Sequence, residues 1–116
     1  MRRLSAQCFA KVLSYTGSPY NMKNDDFEWD DAKAASNWRA HKITFEMARD
    51  VFRDPLIVEW VDEGQGKQEL RFAALGSVEG RVLFVAYTMR GDSIRIISAQ
   101  RAEPWERRKY HNENQT

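Results

Sequence analysis

The chain has 116 residues, 42% of them hydrophobic, and a formal net charge of +1. This is enough for one domain with a modest core, and no apolar run approaches the roughly 18 residues that a membrane helix needs. One cysteine, Cys8, excludes an internal disulfide and fits a reducing cytoplasm, and with two histidines it argues against a structural zinc site.

The charge is unevenly placed. Residues 1–23 carry Arg2, Arg3, Lys11 and Lys23 and no acid, and residues 24–63 are rich in Asp and Glu. Residues 64–116 turn basic, with Arg71, Arg81, Arg90, Arg95, Arg101, Arg107, Arg108 and Lys109. A basic C-terminal half suits a phosphate-bearing partner, against the plainer reading of solvated surface charge.

Residues 1–24 read as a basic extension, either disordered or a short helix. Lys11 interrupts the apolar centre that a secretory signal would need. Phe27-Glu28-Trp29 alternates as a short strand does. Asp30 or Asp31 then caps an alanine-rich helix over roughly 31–41. Lys33, Asn37 and His41 recur every four residues and share one face, while Ala34 and Trp38 face the core from a neighbouring stripe. Thr44 caps a second helix, with Ile43 and Ala48 placed as a hydrophobic staple. Phe45, Ala48 and Phe52 form its buried stripe, and Asp54-Pro55 stops it.

Four strands follow. They run from Leu56 to Asp62, from Leu70 to Leu75 with Gly76 as its end, from Arg81 to Thr88, and from Ser93 to Ala99. Gly64-Gln65-Gly66 and Gly91-Asp92 make turns. The third of these strands is apolar on both faces, as a central strand is. Glu103-Pro104 opens a terminal helix, with proline where no amide bond is lost. The order β-α-α-β-β-β-β-α predicts an α+β fold: an antiparallel sheet of four to five strands, two N-terminal helices and one C-terminal helix, the helices on one face.

One set of motifs runs through this frame: Phe27-Glu28-Trp29-Asp30, Lys33, Asn37, His41, Val51-Phe52-Arg53-Asp54-Pro55, Arg71, Thr88, Arg90, Ile94-Arg95-Ile96-Ile97-Ser98-Ala99, Glu106-Arg107 and Tyr110. In order and spacing the set resembles the BrnT family, small toxins of bacterial type II toxin–antitoxin systems with a RelE-like ribonuclease fold. The resemblance spans the chain after about Asn24. The family domain would occupy 25–116, and Met22 makes a natural start. It implies a cytoplasmic endoribonuclease that needs no metal or other cofactor. It also implies a BrnA-type antitoxin with a ribbon-helix-helix part, through which alone the toxin meets DNA. The family pattern carries onto Trp29, Lys33, Asn37, His41, Arg71, Thr88, Arg90, Ser98 and Arg101. Two departures stand out. Lys42 replaces a glycine that commonly follows the histidine, and Gln100 replaces the arginine of a Ser-Ala-Arg sequence.

Metal-free RNA cleavage needs a base for the 2′-hydroxyl, cations for the charge on phosphorus and an acid for the 5′ oxygen. His41 is the candidate for proton transfer, against the plainer reading of a histidine placed at a helix C-terminus. Arg71 and Arg90 sit on strands and can grip phosphate with paired donors. For Arg71 a cross-strand salt bridge to Glu59 or Glu69 weighs equally. Lys33 completes the expected catalytic set, and Trp29, Asn37 and Arg101 the RNA contacts. Tryptophans are more often core than stacking platforms, and Asn37 reads more readily as part of a solvated stripe. The alternative from another class is an inactive module that binds RNA or only its antitoxin.

Overall fold

The computed structural model describes residues 26–62 and 70–114. The N-terminal extension, the Gly64-Gln65-Gly66 turn and Glu69 lie outside them. The elements are β1 (Phe27–Glu28), α1 (Asp31–His41), α2 (Phe45–Asp50), a 3-10 turn (Val51–Arg53), β2 (Val58–Asp62), β3 (Arg71–Val78), β4 (Arg81–Arg90), β5 (Ser93–Arg101) and α3 (Pro104–Glu113).

Local chemistry sets both early helices. The Asp30 carboxylate accepts from the Lys33 amide at 3.1 Å and the Thr44 hydroxyl from the Met47 amide at 3.0 Å. Each side chain satisfies one of the amides a helix start leaves free, a cap worth about 1 kcal/mol. Ile43 and Ala48, the staple positions, are both fully buried. Between the helices Lys42 takes the left-handed conformation, φ 59° and ψ 33°, with its amide bonded to the Trp38 carbonyl. Glycine would hold this position at no steric cost, and lysine holds it at about 1 kcal/mol.

The strands lie in the order β1-β5-β4-β3-β2. β2 to β5 form the expected antiparallel meander, and β1 adds a parallel edge beside β5, pairing Phe27 with Ile94 and Glu28 with Arg95. The sheet is therefore mixed, and the fold is α+β with two helices before the meander and one after it. β3 runs on through Gly76 to Val78. A Cβ at Gly76 would stand 2.8 Å from the Val51 carbonyl oxygen, so glycine here lets the 3-10 turn lie directly on the strand.

Both faces of the sheet are covered, which differs from the expected single helical face. Alternation along the strands sends Phe72, Ala74, Leu83, Val85, Tyr87, Ile94 and Ile96 toward α1, α2 and the 3-10 turn, into the main core. The alternate residues Val58, Leu75, Val82 and Phe84 meet Ala102 and Tyr110 of the C-terminal segment. α3 thus packs on the opposite face. It is tied down by Tyr110, whose hydroxyl donates to Asp54 Oδ2 at 2.5 Å. Asp54 also accepts from the amides of Leu56 and Ser77. The Asp54-Pro55 helix stop therefore doubles as the anchor of the last helix.

Trp38 departs from its expected place in the core and is 47% exposed. The inward position beside it belongs to Asn37, which turns the next residue about 100° outward. Lys42 Nζ lies 5.4 Å from the centre of the Trp38 ring.

Candidate functional site

The side chains expected to act together fall into two groups. Arg71, Thr88, Arg90 and Arg95 occupy the sheet face opposite α1, near the β4–β5 turn. A polar row crosses that face from edge to edge. Asp62 pairs with Arg71 on β2–β3, Thr88 pairs with Arg95 on β4–β5, and Arg95 donates to Glu28 of β1 at 2.8 Å. Thr88 is buried, and its hydroxyl donates to the Leu70 carbonyl. The Arg71 Nε is buried and finds no hydrogen-bond partner among the described residues. Glu59 is no partner for Arg71: it lies on the other face, fully buried, and accepts from the Tyr87 hydroxyl at 2.7 Å.

His41 lies at the far end of the molecule. It lines an open cleft of about 520 Å³ with Ala40, Lys42, Gln100, Arg101 and Glu103. Arg101 pairs with Leu83 and Ser93 with Arg90, and the β4 span from Leu83 to Arg90 covers roughly 24 Å at ~3.4 Å per residue. His41 and Arg90 therefore do not meet on one phosphate, and the expectation of a single constellation of His41, Arg71, Arg90 and Lys33 is corrected. Lys33 is exposed in the first turn of α1, roughly 12 Å along the helix from His41.

Asn37 is neither an RNA contact nor a solvated residue. It is 7% exposed. Its amide nitrogen donates to the carbonyls of Ile43 and Ala99, and its oxygen accepts from the Ala99 amide. It fixes the C-terminal end of α1 against β5, and so sets His41 beside Gln100 and Arg101. The shared stripe of Lys33, Asn37 and His41 splits because four-residue steps drift about 40° each along a helix.

β5 continues to Arg101, so Gln100 and Arg101 point to opposite sides of the strand. Gln100 and Lys42, the two departures from the family pattern, line one cleft with His41. Gln100 brings no cation to this lining, and Lys42 holds its ammonium 5.4 Å from the centre of the Trp38 ring. Trp29 lies elsewhere, packed edge-on against Phe45 at 5.8 Å and lining a cleft of about 490 Å³ with Glu46 and Arg49. Trp60 packs on Phe84 under Lys109, whose Nζ is 5.0 Å from the ring centre.

A family model described as the ribonuclease toxin BrnT of type II toxin–antitoxin systems matches residues 29–106. The chain belongs to the BrnT family. The match runs from Trp29 into α3 and takes in every strand of the antiparallel meander. No curated protein matches the chain. BrnT membership makes the chain a ribonuclease toxin of a type II system, with RNA as its substrate and an antitoxin as its partner. The described residues contain no helix long and apolar enough to cross a membrane, and no three His, Cys, Asp or Glu side chains that converge.

Lys42 carried no catalytic expectation, although its backbone did: a residue where glycine is usual marks a left-handed position, and there the side chain projects beside the helix end. His111 carried no expectation, and Arg81 only that of the basic C-terminal half. Arg107 belongs to a charge run that reads as a solvated helix face, with contact to RNA phosphates or a partner as the alternative. In the structure one of its nitrogens donates to the Ala102 carbonyl at 2.9 Å.

Proposed function

We propose that the cleft of His41, Lys42, Gln100 and Arg101 is where RNA is cut, and that the cut needs no metal. The observation that supports it is the cleft itself, whose lining brings together His41, Lys42 and Arg101, with Glu103 as its acid. The reaction is attack of a ribose 2′ oxygen on the adjacent phosphorus. His41 takes the 2′-hydroxyl proton. Lys42 and Arg101 stabilise the charge that builds on the non-bridging oxygens. The bond to the 5′ oxygen breaks, that oxygen takes up a proton, and a 2′,3′-cyclic phosphate remains. Arg71, Arg90 and Lys33 hold the strand on either side, and Trp29 offers a base platform. A BrnA-type antitoxin with a ribbon-helix-helix part covers this basic surface in the bacterial cytoplasm and carries the complex to DNA.

The test is cleavage of a defined RNA in excess EDTA, with the product ends mapped. Cyclic or 3′-phosphate ends at full rate are expected, and a rate that falls with chelator and returns with magnesium sinks the mechanism. One observation favours a second reading, an inactive RNA- or antitoxin-binding module: Gln100 is neutral where the family pattern has arginine. A chain that binds RNA and antitoxin but yields no new RNA ends is that module.

A further inference from the structure

Arg101 lines a second cleft, of about 400 Å³, between the β3–β4 turn and α3. Its other lining residues are Arg81, Arg107 and His111, with Ser77, Gly80, Val82, Ala102 and Tyr110. The volume falls in the range of small-ligand sites, roughly 300–1,000 Å³. Three arginines and a histidine are among its lining residues, and no acid is. Two acids of the adjoining turns are occupied or exposed. Asp54 spends its oxygens on the Leu56 and Ser77 amides and the Tyr110 hydroxyl. Glu79 is exposed in the turn, held at φ 53°. Among the described residues neither Arg81 nor Arg101 forms an ion pair.

Concentrating this much positive charge without a counter-charge costs stability, and the backbone is built to keep it there. The β3–β4 turn has φ above zero at both Glu79 and Gly80, the geometry of a tight two-residue hairpin. That turn delivers Arg81 to one wall. Arg107 is held by its bond to the Ala102 carbonyl, which leaves the rest of its guanidinium for an anion. An oxyanion with several acceptors is the ligand that such planar, forked donors fit.

We propose that this second cleft binds the RNA phosphate next to the one being cut. The inference rests on the assignment of cleavage to the His41 cleft, because Arg101 is the wall the two clefts share. Two clefts that share Arg101 on their linings suit consecutive phosphates of a single strand. The substrate is then unpaired RNA that carries at least one phosphate beyond the scissile one.

The experiment compares two short substrates with a single ribose that permits cleavage. One is a dinucleoside monophosphate, and the other is a trinucleoside diphosphate with the extra phosphate placed on either side in turn. The extra phosphate on one side lowers KM by roughly tenfold in the full chain, the worth of a charged hydrogen-bonded contact. In Arg81→Gln and in His111→Gln the ratio of the two KM values collapses toward one. Binding of 2′-O-methyl versions of both oligomers, read by fluorescence anisotropy, shows the same ratio and the same collapse. A ratio near one in the native chain overturns the proposal, as does a ratio that survives both substitutions. Loss of antitoxin binding with the ratio intact assigns the cleft to the protein partner instead and also overturns it. If no RNA is cut but the anisotropy ratio collapses as stated, the cleavage assignment fails and the phosphate site stands.

Discussion

The Asn37 carboxamide satisfies both backbone groups of Ala99, a residue 62 positions further along the chain. It accepts the Ala99 amide at 3.0 Å and donates to the Ala99 carbonyl at 2.7 Å. One side chain thus does for β5 what a neighbouring strand would do, at the edge where β1 has already ended. Asn37→Ala leaves three buried backbone groups without partners and is expected to lower stability by about 2–4 kcal/mol in urea melts. Asn37→Asp is expected to be worse, because a carboxylate would face the carbonyl oxygens of Ile43 and Ala99. An aspartate variant as stable as wild type would show that this edge contributes nothing.

Lys42 sets stability against activity. Lys42→Gly relieves a left-handed lysine and is expected to add about 1 kcal/mol of stability. For a domain of this size that raises Tm by about 4–8 °C. The same change removes a cation from the His41 cleft and is expected to slow cleavage by roughly tenfold or more. Calorimetry and single-turnover cleavage on one preparation check both. A glycine variant that is steadier and equally fast would place Lys42 outside the chemistry.

The separation of the two arginine groups has a kinetic signature. His41→Ala is expected to remove one limb of the pH–rate profile and to lower kcat by about 10²–10⁴-fold. Arg71→Gln and Arg90→Lys are expected to raise KM with kcat nearly kept, as loss of uniform binding does. Loss of kcat at Arg90, with both pH limbs kept in His41→Ala, would move the chemistry to the open sheet face.

Tyr110 predicts an alkaline weakness. Burial, the bond to Asp54 and the Asp54 charge all raise its pKa above the ordinary value of 10.0. A group with a raised folded pKa stabilises the protein fully below its unfolded value and loses that contribution as pH rises. The tie between α3 and the Asp54 turn should therefore weaken above about pH 10, where the unfolded tyrosine ionises. Tyr110→Phe is expected to lower stability by about 1 kcal/mol at neutral pH and to show a shallower fall in alkaline melts than wild type. Equal slopes for both proteins would show that the hydroxyl does not carry the effect.

Local chemistry was legible in the sequence, and distant pairing was not. Asp30 and Thr44 cap their helices because capping is settled within three residues. The family match confirms the toxin class that the motifs pointed to. The apolar alternation of Phe45, Ala48 and Phe52 was equally local. The partner of Asn37, the parallel pairing of β1 and the separation of His41 from Arg90 all depend on β5, which lies more than half the chain away. One signal went unused. β4 is apolar on both faces, which already required cover on both faces of the sheet, and α3 supplies the second.

The late position of β5 and α3 also orders events in time. β1 and α1 dock on a strand made some 60 residues after them, and synthesis runs from the N-terminus at ~5–20 residues per second. The wall of Arg107 and His111, and the tyrosine that anchors it, are made later than β5. An unfinished chain therefore has neither cleft. A product that stops before β5 lacks the strand on which β1 and α1 dock.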